Sequence, residues 1–127
     1  MPLIYDGGNF MVDSTGNLFM TKRIYNWNSD KSEESVNNLI KEYFNIKKIH
    51  TFDYAGFPGY PKDGTGHIDM YLKLLSDDTI LITETKDEPF KTACDKAVEY
   101  FKSIKTSDGK EYKIVRIPGW YQDGTWY

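Results

Sequence analysis

The sequence contains one cysteine, Cys94, and two histidines, His50 and His67, among its 127 residues. A lone cysteine excludes an intramolecular disulfide framework. One cysteine and two histidines are also too few for a Cys/His zinc site, so no metal and no cofactor is expected. Basic charge is not in excess: 16 Lys and Arg stand against 19 Asp and Glu, a net charge of −3. The electrostatic footprint of a nucleic-acid-binding protein is therefore missing. No apolar run approaches the length of a membrane span, and no signal peptide is read at the start. These observations set the expectations of no nucleic acid, no membrane and a cytoplasmic location. What the chain has instead is aromatic side chains, ten Tyr, seven Phe and three Trp, enough to build the core of one domain. It opens on a strand-like run with almost no lead-in and stops in the aromatic, turn-rich "PGWYQDGTWY". Both ends read as cut rather than finished.

Along the chain one order of elements occurs twice. "NFMVD" and "NLFMT" flank the turn-rich "STGN" and read as a hairpin. In "SDKSEESVNNLIKEYFN", Val36, Leu39, Ile40, Tyr43 and Phe44 recur at helical spacing, with Ser29, Asp30 or Ser32 able to cap the start. "KKIHTF" reads as a strand, and a long Gly/Pro/Tyr loop, "DYAGFPGYPKDGTG", follows. Then "HIDMYLKLL" and "TILIT" flank "SDD" as a second hairpin. "EPFKTACDKAVEYFKSI" is helical, with Pro89 in its first turn and an apolar stripe running from Phe90 to Ile104. "YKIVRIP" closes as a strand. The fold class expected is α/β (α+β), with two consecutive ββαβ units, about 9–52 and about 67–117, in one domain spanning 1–127. The repeat is one of elements, not of residue identities.

The sharpest constellation is His67-Ile68-Asp69. If His67 to Leu75 alternates as a strand, Ile68, Met70, Leu72 and Leu74 form one row, and His67, Asp69, Tyr71 and Lys73 form the other. His67 and Asp69 then project together roughly 6.5 Å apart, a proton carrier beside a carboxylate. A solvated polar strand face gives the same pattern. In "YDGGNF", Gly7 and Gly8 allow a close backbone approach, with Asp6 and Asn9 in reach; a plain turn would read the same way. Cys94 lies within a helix's apolar stripe, where cysteine acts as a small hydrophobe and not as an exposed thiolate. His50 is read as structural or solvated. Trp120, Tyr121, Trp126 and Tyr127 are expected to pack against protein this chain lacks, or to form a sugar-binding platform.

Taken together, "GGNFMVDSTGNLFMT", "KKIHTFDY", "DGTGHIDMYLKLLSDDTILIT" and "YKIVRIPGW" resemble the guanidino-group-modifying superfamily, and within it the bacterial peptidylarginine deiminase and agmatine deiminase group. The resemblance is collinear from about residue 4 to residue 119. It implies a pentein, a five-bladed α/β propeller with one ββαβ unit per blade, of which this chain would hold about two. It implies hydrolysis of a guanidinium C–N bond through a cysteine covalent intermediate, and, for agmatine-type members, a place in putrescine biosynthesis. His67 is then the proton-moving histidine and Asp69 a guanidinium-binding carboxylate. Gly7 and Gly8 match a glycine pair near the substrate, with Asp6 and Asn9 beside it. Asp63 falls where many relatives carry an acid four positions before the histidine. Many agmatine-type members read TDGHVD there; this chain reads GTGHID, with Thr65 in place of the acid. The family's nucleophilic cysteine and its other substrate-binding aspartate have no counterpart in the sequence.

The resemblance therefore implies a fragment that is inactive alone. Its ligand would be a guanidinium small molecule or an arginine peptide, and its partners the missing blades or a second copy. The alternatives are a non-catalytic binding or assembly module derived from the same fold, and an unrelated carbohydrate- or peptide-binding α/β domain. The first two require His67 and Asp69 to face Gly7 and Gly8; the last requires them apart.

Overall fold

The computed structural model describes residues 3–127. Strands β1 (Met11–Val12) and β2 (Asn17–Thr21) form a hairpin. Its turn is set by Asp13, whose carboxylate accepts the backbone N–H of Thr15 and of Asn17, the local bonding that favours aspartate at turns. A short helix α1 (Arg23–Trp27) and a longer helix α2 (Glu33–Phe44) lead to β3 (Lys48–Phe52), which runs parallel to β2. Ser32 caps α2 by accepting the Ser35 N–H at 3.1 Å, and Glu33 and Glu34 sit in its first turn, where acidic residues favour the helix dipole. Asn45 ends it in the left-handed conformation.

The second unit repeats this plan. β4 (Leu72–Ser76) pairs antiparallel with β5 (Thr79–Glu84), helix α3 (Phe90–Ser103) crosses over, and β6 (Lys113–Pro118) lies parallel to β5. The registers of the two units agree: Asn17 pairs with Lys48 as Thr79 pairs with Lys113. Leu18, Met20, Val36 and Ile40 close α2 onto the first sheet. Helix α3 lies between the sheets. Its Cys94, Ala97 and Phe101 join Ile80 and Ile82 of the second sheet to Phe19 and Phe52 of the first. The Phe101 ring is 5.5 Å from both Phe19 and Phe52. No helix among the described residues is long and apolar enough to cross a membrane.

Three local expectations are corrected. First, residues 68–70 are not strand. The backbone makes a 3-10 turn over Ile68–Met70, and β4 starts at Leu72. Likewise Gly7–Asn9 is a 3-10 turn, and β1 is only Met11–Val12. The cause is long-range: Ile68 is fully buried and its N–H donates to Asn9 Oδ1 at 2.9 Å. Tyr71, expected on the polar row, is buried and donates its O–H to the Asp53 carbonyl at 2.8 Å. Second, α1 is an additional element between the hairpin and α2. Third, the tail is an ordered hairpin of β7 (Tyr121–Gln122) and β8 (Thr125–Trp126). Trp126 packs on this chain itself, stacked 4.1 Å from Phe90 and donating its indole N–H to the Met70 carbonyl at 2.7 Å. Trp120 stays half exposed, stacked on Tyr127.

His50 is structural. It is buried against Phe19 at 4.8 Å, with Nε2 3.1 Å from Asn17 Oδ1 and Nδ1 facing the Tyr100 hydroxyl. Because the side-chain amide of Asn17 is donated elsewhere, Nε2 carries the proton and Nδ1 accepts from Tyr100. Burial, helped by the charge of Lys48 and opposed by Asp13, pushes the imidazole pKa down to about 4.

Candidate active site

The two 3-10 turns meet. The first, Gly7–Asn9, is reached from a segment pinned by Asn28, which accepts the Ile4 N–H at 2.9 Å and donates to the Ile4 carbonyl at 2.8 Å. The second, Ile68–Met70, follows the end of the long loop. Asn9 joins them. Its buried Oδ1 accepts from the N–H of Thr21 and of Ile68, each at 2.9 Å, and its amide donates to the Thr21 carbonyl at 3.2 Å. The Thr21 hydroxyl lies against both Asn9 Oδ1 and the Gly66 carbonyl. A buried side chain that accepts two backbone donors from separate segments fixes their relative position, because leaving either donor unpaired is costly.

This anchoring sinks Ile68 into the core and leaves its neighbours, His67 and Asp69, on the outside. His67 Nδ1 lies 4.0 Å from Asp69 Oδ1, and His67 Nε2 lies 3.1 Å from Asp6 Oδ2. The imidazole therefore has a carboxylate on each nitrogen side while remaining 18% exposed. Gly8 faces both groups. A Cβ built there would stand 2.6 Å from His67 Nδ1 and 2.9 Å from Asp69 Oδ2, whereas one at Gly7 would meet nothing within 4 Å. Only the second glycine of the pair is thus a steric requirement. An open groove of about 290 Å³ borders this point, lined by Gly7, Gly8, Phe10, Asp69 and Lys73 among others.

The sequence candidates thus divide by position. His67, Asp69, Asp6 and Gly8 come together, and Gly7, Gly8 and Asp69 line the groove beside them. Asn9 and Asp63 are engaged by the backbone. Asp63 Oδ1 accepts the Thr65 N–H at 2.9 Å and the Gly66 N–H at 2.7 Å, shaping the turn that delivers His67. Thr65, in place of the acid of the agmatine-type pattern, turns its hydroxyl toward the His67 N–H at 3.3 Å. Trp27 is an addition. Its ring meets the His67 imidazole edge-on at 5.8 Å and 78°, and the Arg23 guanidinium lies 5.5 Å from the same ring. Their only sequence signal was a basic-aromatic stretch, "KRIYNWN", without a period.

Cys94 belongs to the core and does not line the groove. It is fully buried in α3, and burial pushes its thiol up to about 12, so it stays protonated at neutral pH. Among the described residues no group of three or more His, Cys, Asp or Glu side chains is arranged to hold a metal ion.

Comparison with known proteins agrees with the fold. Residues 1–123 match the Porphyromonas-type peptidyl-arginine deiminase family. A Marinomonas sp. (strain MWYL1) protein provisionally named agmatine deiminase is 26% identical over 122 residues, covering 92% of this chain and 32% of that protein. A similarly named Legionella pneumophila (strain Paris) protein is 26% identical and is covered over 37% of its length. Among solved structures, a Porphyromonas gingivalis protein provisionally described as an arginine deiminase superposes on 99% of this chain with a TM-score of 0.80 at 19% identity, 39% of that chain being covered. The agmatine deiminase of Enterococcus faecalis superposes with a TM-score of 0.76 at 20% identity and is covered over 32%. The chain spans about a third of the length of these relatives. On the extent of the match, it belongs to the Porphyromonas-type peptidyl-arginine deiminase family.

Proposed function

We propose that this chain carries the proton-moving and cation-holding half of a guanidinium-hydrolysing site. The observation that supports this most is the tight packing of Gly8 on both His67 and Asp69, which holds an imidazole and a carboxylate together at the edge of the groove lined by Gly7, Gly8 and Asp69. A guanidinium is flat and donates hydrogen bonds in its plane, and Asp69 accepts them as a charge-assisted pair. Asp6, on Nε2, fixes the imidazole's orientation. A thiolate attacks the guanidinium carbon, the C–N bond breaks, and the imidazolium of His67 gives its proton to the departing ammonia. Water then attacks the same carbon, His67 takes its proton, and the C–S bond breaks to release the ureido product and the thiolate.

Cys94 cannot provide that thiolate, being buried and protonated. The nucleophile in this proposal comes from another segment or another chain. The partner we assign is a further ββαβ unit whose helix lies on the open face of the second sheet, at Leu81, Val115 and Ile117, as α3 lies on the first. A non-catalytic module built on the same fold would use that face alone. A carbohydrate platform has less support, since Trp126 is committed to Phe90 and Met70 and only Trp120 and Tyr127 remain half exposed.

The test is ammonia and ureido-product release from agmatine and from arginine peptides. The 127-residue chain is expected to give none, and a version extended by family segments bearing an exposed cysteine is expected to turn over and to lose activity in His67→Ala. Turnover by the unextended chain that survives Cys94→Ala would overturn the proposal.

A further inference from the structure

Helix α3 shows how the helix of one unit seals the sheet of the unit before it. Its Tyr100 ring lies 5.7 Å from the His50 ring and 5.2 Å from the Phe52 ring. Its Lys96 pairs with Asp53, just past the end of β3. The second sheet has the same face without a helix on it. By register, Val115, Ile117 and Pro118 stand where His50, Phe52 and Asp53 stand in the first sheet. Lys73, directly opposite Leu81, and Lys113, two residues before Val115, add positive charge to that face. Neither lysine forms an ion pair among the described residues.

Helix α2 is the counterpart of α3. Counted from the caps Ser32 and Pro89, Tyr43 falls at the place of Tyr100, and Leu39 at the place of Lys96. Tyr43 is 58% exposed. The differences between the two helices match the differences between the two sheets. Where the internal junction joins Lys96 to Asp53, the free positions hold Leu39 and Pro118, apolar on both sides. Where Tyr100 covers His50 and Phe52, Tyr43 is available for Val115 and Ile117. Charge points the same way: α2 carries Glu33, Glu34 and Glu42 against Lys41, and the open face carries Lys73 and Lys113. Opposite potentials of this kind favour the pairing and fix its orientation.

We propose that α2 of a second copy of this chain covers the open face of the second sheet, with Tyr43 on Val115 and Ile117 and Leu39 on Pro118. The contact joins two different surfaces. Each copy in a pair therefore still offers one of them, and further copies add head to tail. This assignment rests on the reading of that face as the seat of a further unit's helix.

The test is sedimentation velocity of the full chain at concentrations up to about 1 mM, the weak end of specific affinities. Species larger than a dimer are expected at the upper end, and added salt is expected to diminish them. Tyr43→Arg alone, and Val115→Lys with Ile117→Lys alone, are expected to stay monomeric. Mixed in equal amounts, they are expected to form a pair and nothing larger, because each keeps the surface that the other has lost. A monomeric unsubstituted chain, association that stops at a dimer, or a mixture that stays monomeric would overturn the proposal and leave the face as a seat for another protein's unit. Association lost in the lysine pair but kept in Tyr43→Arg would overturn it in the same way, by assigning the face a different occupant. Association that survives both variants would remove the seat itself, and the proposal with it. Should either variant lose its helical circular dichroism, cysteines decide the matter. Tyr43→Cys mixed with Val115→Cys is expected to give a disulfide-linked pair under a thiol oxidant, and neither alone is expected to do so, since Cys94 is buried. A mixture that stays unlinked overturns the proposal.

Discussion

The first sheet is covered on both faces, by α2 on one side and α3 on the other, whereas the second is covered by α3 on one face only. The shared register makes the comparison position by position. Phe19, His50 and Phe52 occupy the places of Leu81, Val115 and Ile117. Phe19, His50 and Phe52 are buried; Val115 and Ile117 are 42% and 41% exposed. Apolar side chains stand at five of these six positions, His50 being the exception, but burial depends on a neighbouring unit's helix. At these positions the hydrophobic contribution to stability lies in the contacts of a covering helix, not in the strands themselves.

Truncating that contact should have the largest effect. Phe101→Ala, between Phe19, Phe52 and Tyr112, is expected to cost about 3–5 kcal/mol in denaturant unfolding. Val115→Ala or Ile117→Ala, on the open counterpart, is expected to stay within about 0.5 kcal/mol. Equal costs would mean that the second face is covered after all.

Acid should separate the two sheets next. His50 is held neutral in the fold, with its pKa lowered from 6.5 to about 4. Below its unfolded pKa the unfolded chain takes up a proton that the folded chain refuses. Stability is therefore expected to fall as pH drops from about 6.5 to 4 and to level off below, by up to about 3 kcal/mol. His50→Gln should flatten this part of the profile. Val115, its counterpart, has nothing to titrate.

Asn9→Ala is expected to cost about 1–3 kcal/mol, because it strands the buried N–H groups of Thr21 and Ile68. It should also broaden the His67 ring signals as the two turns lose their common anchor. The smallest change in folding is expected from Val115→Lys with Ile117→Lys, within about 0.5 kcal/mol. That pair should nonetheless lower any concentration-dependent self-association seen by sedimentation, since the exposed apolar face is where a further helix fits.

Much of the scaffold was legible because its signals are local. Val36, Leu39 and Ile40 after three possible caps, Ser29, Asp30 and Ser32, marked α2, and Ser32 is the one that caps it. The stripe from Phe90 to Phe101 fixed α3, and the β-branched runs at 79–83 and 113–117 fixed their strands. The site was legible as residue types, His67 and Asp69 near Gly7 and Gly8. Its geometry was not, because it depends on Asn9 reaching Ile68 across 59 positions. "HIDMYLKLL" alternates as a strand would, and nothing within it shows that Ile68 is drawn inward as a 3-10 turn, or that Tyr71 is buried by Asp53. Helix α1 has five residues, too few to show a period. Trp27 and Arg23 therefore surfaced only when the loop before His67 folded over them. That Gly8, and not Gly7, is the constrained glycine depends on side chains some 60 residues away.

That last contrast carries the account. The direct measurement is the response of the His67 ring ¹⁵N signals to added agmatine in the unsubstituted chain, in Gly7→Ala and in Gly8→Ala. The packing of Gly8 on His67 and Asp69 predicts saturating shifts in the first two and none in Gly8→Ala, where a methyl would push the imidazole and carboxylate apart, with all three folded. Shifts that persist in Gly8→Ala, or that are missing from the unsubstituted chain, would contradict it.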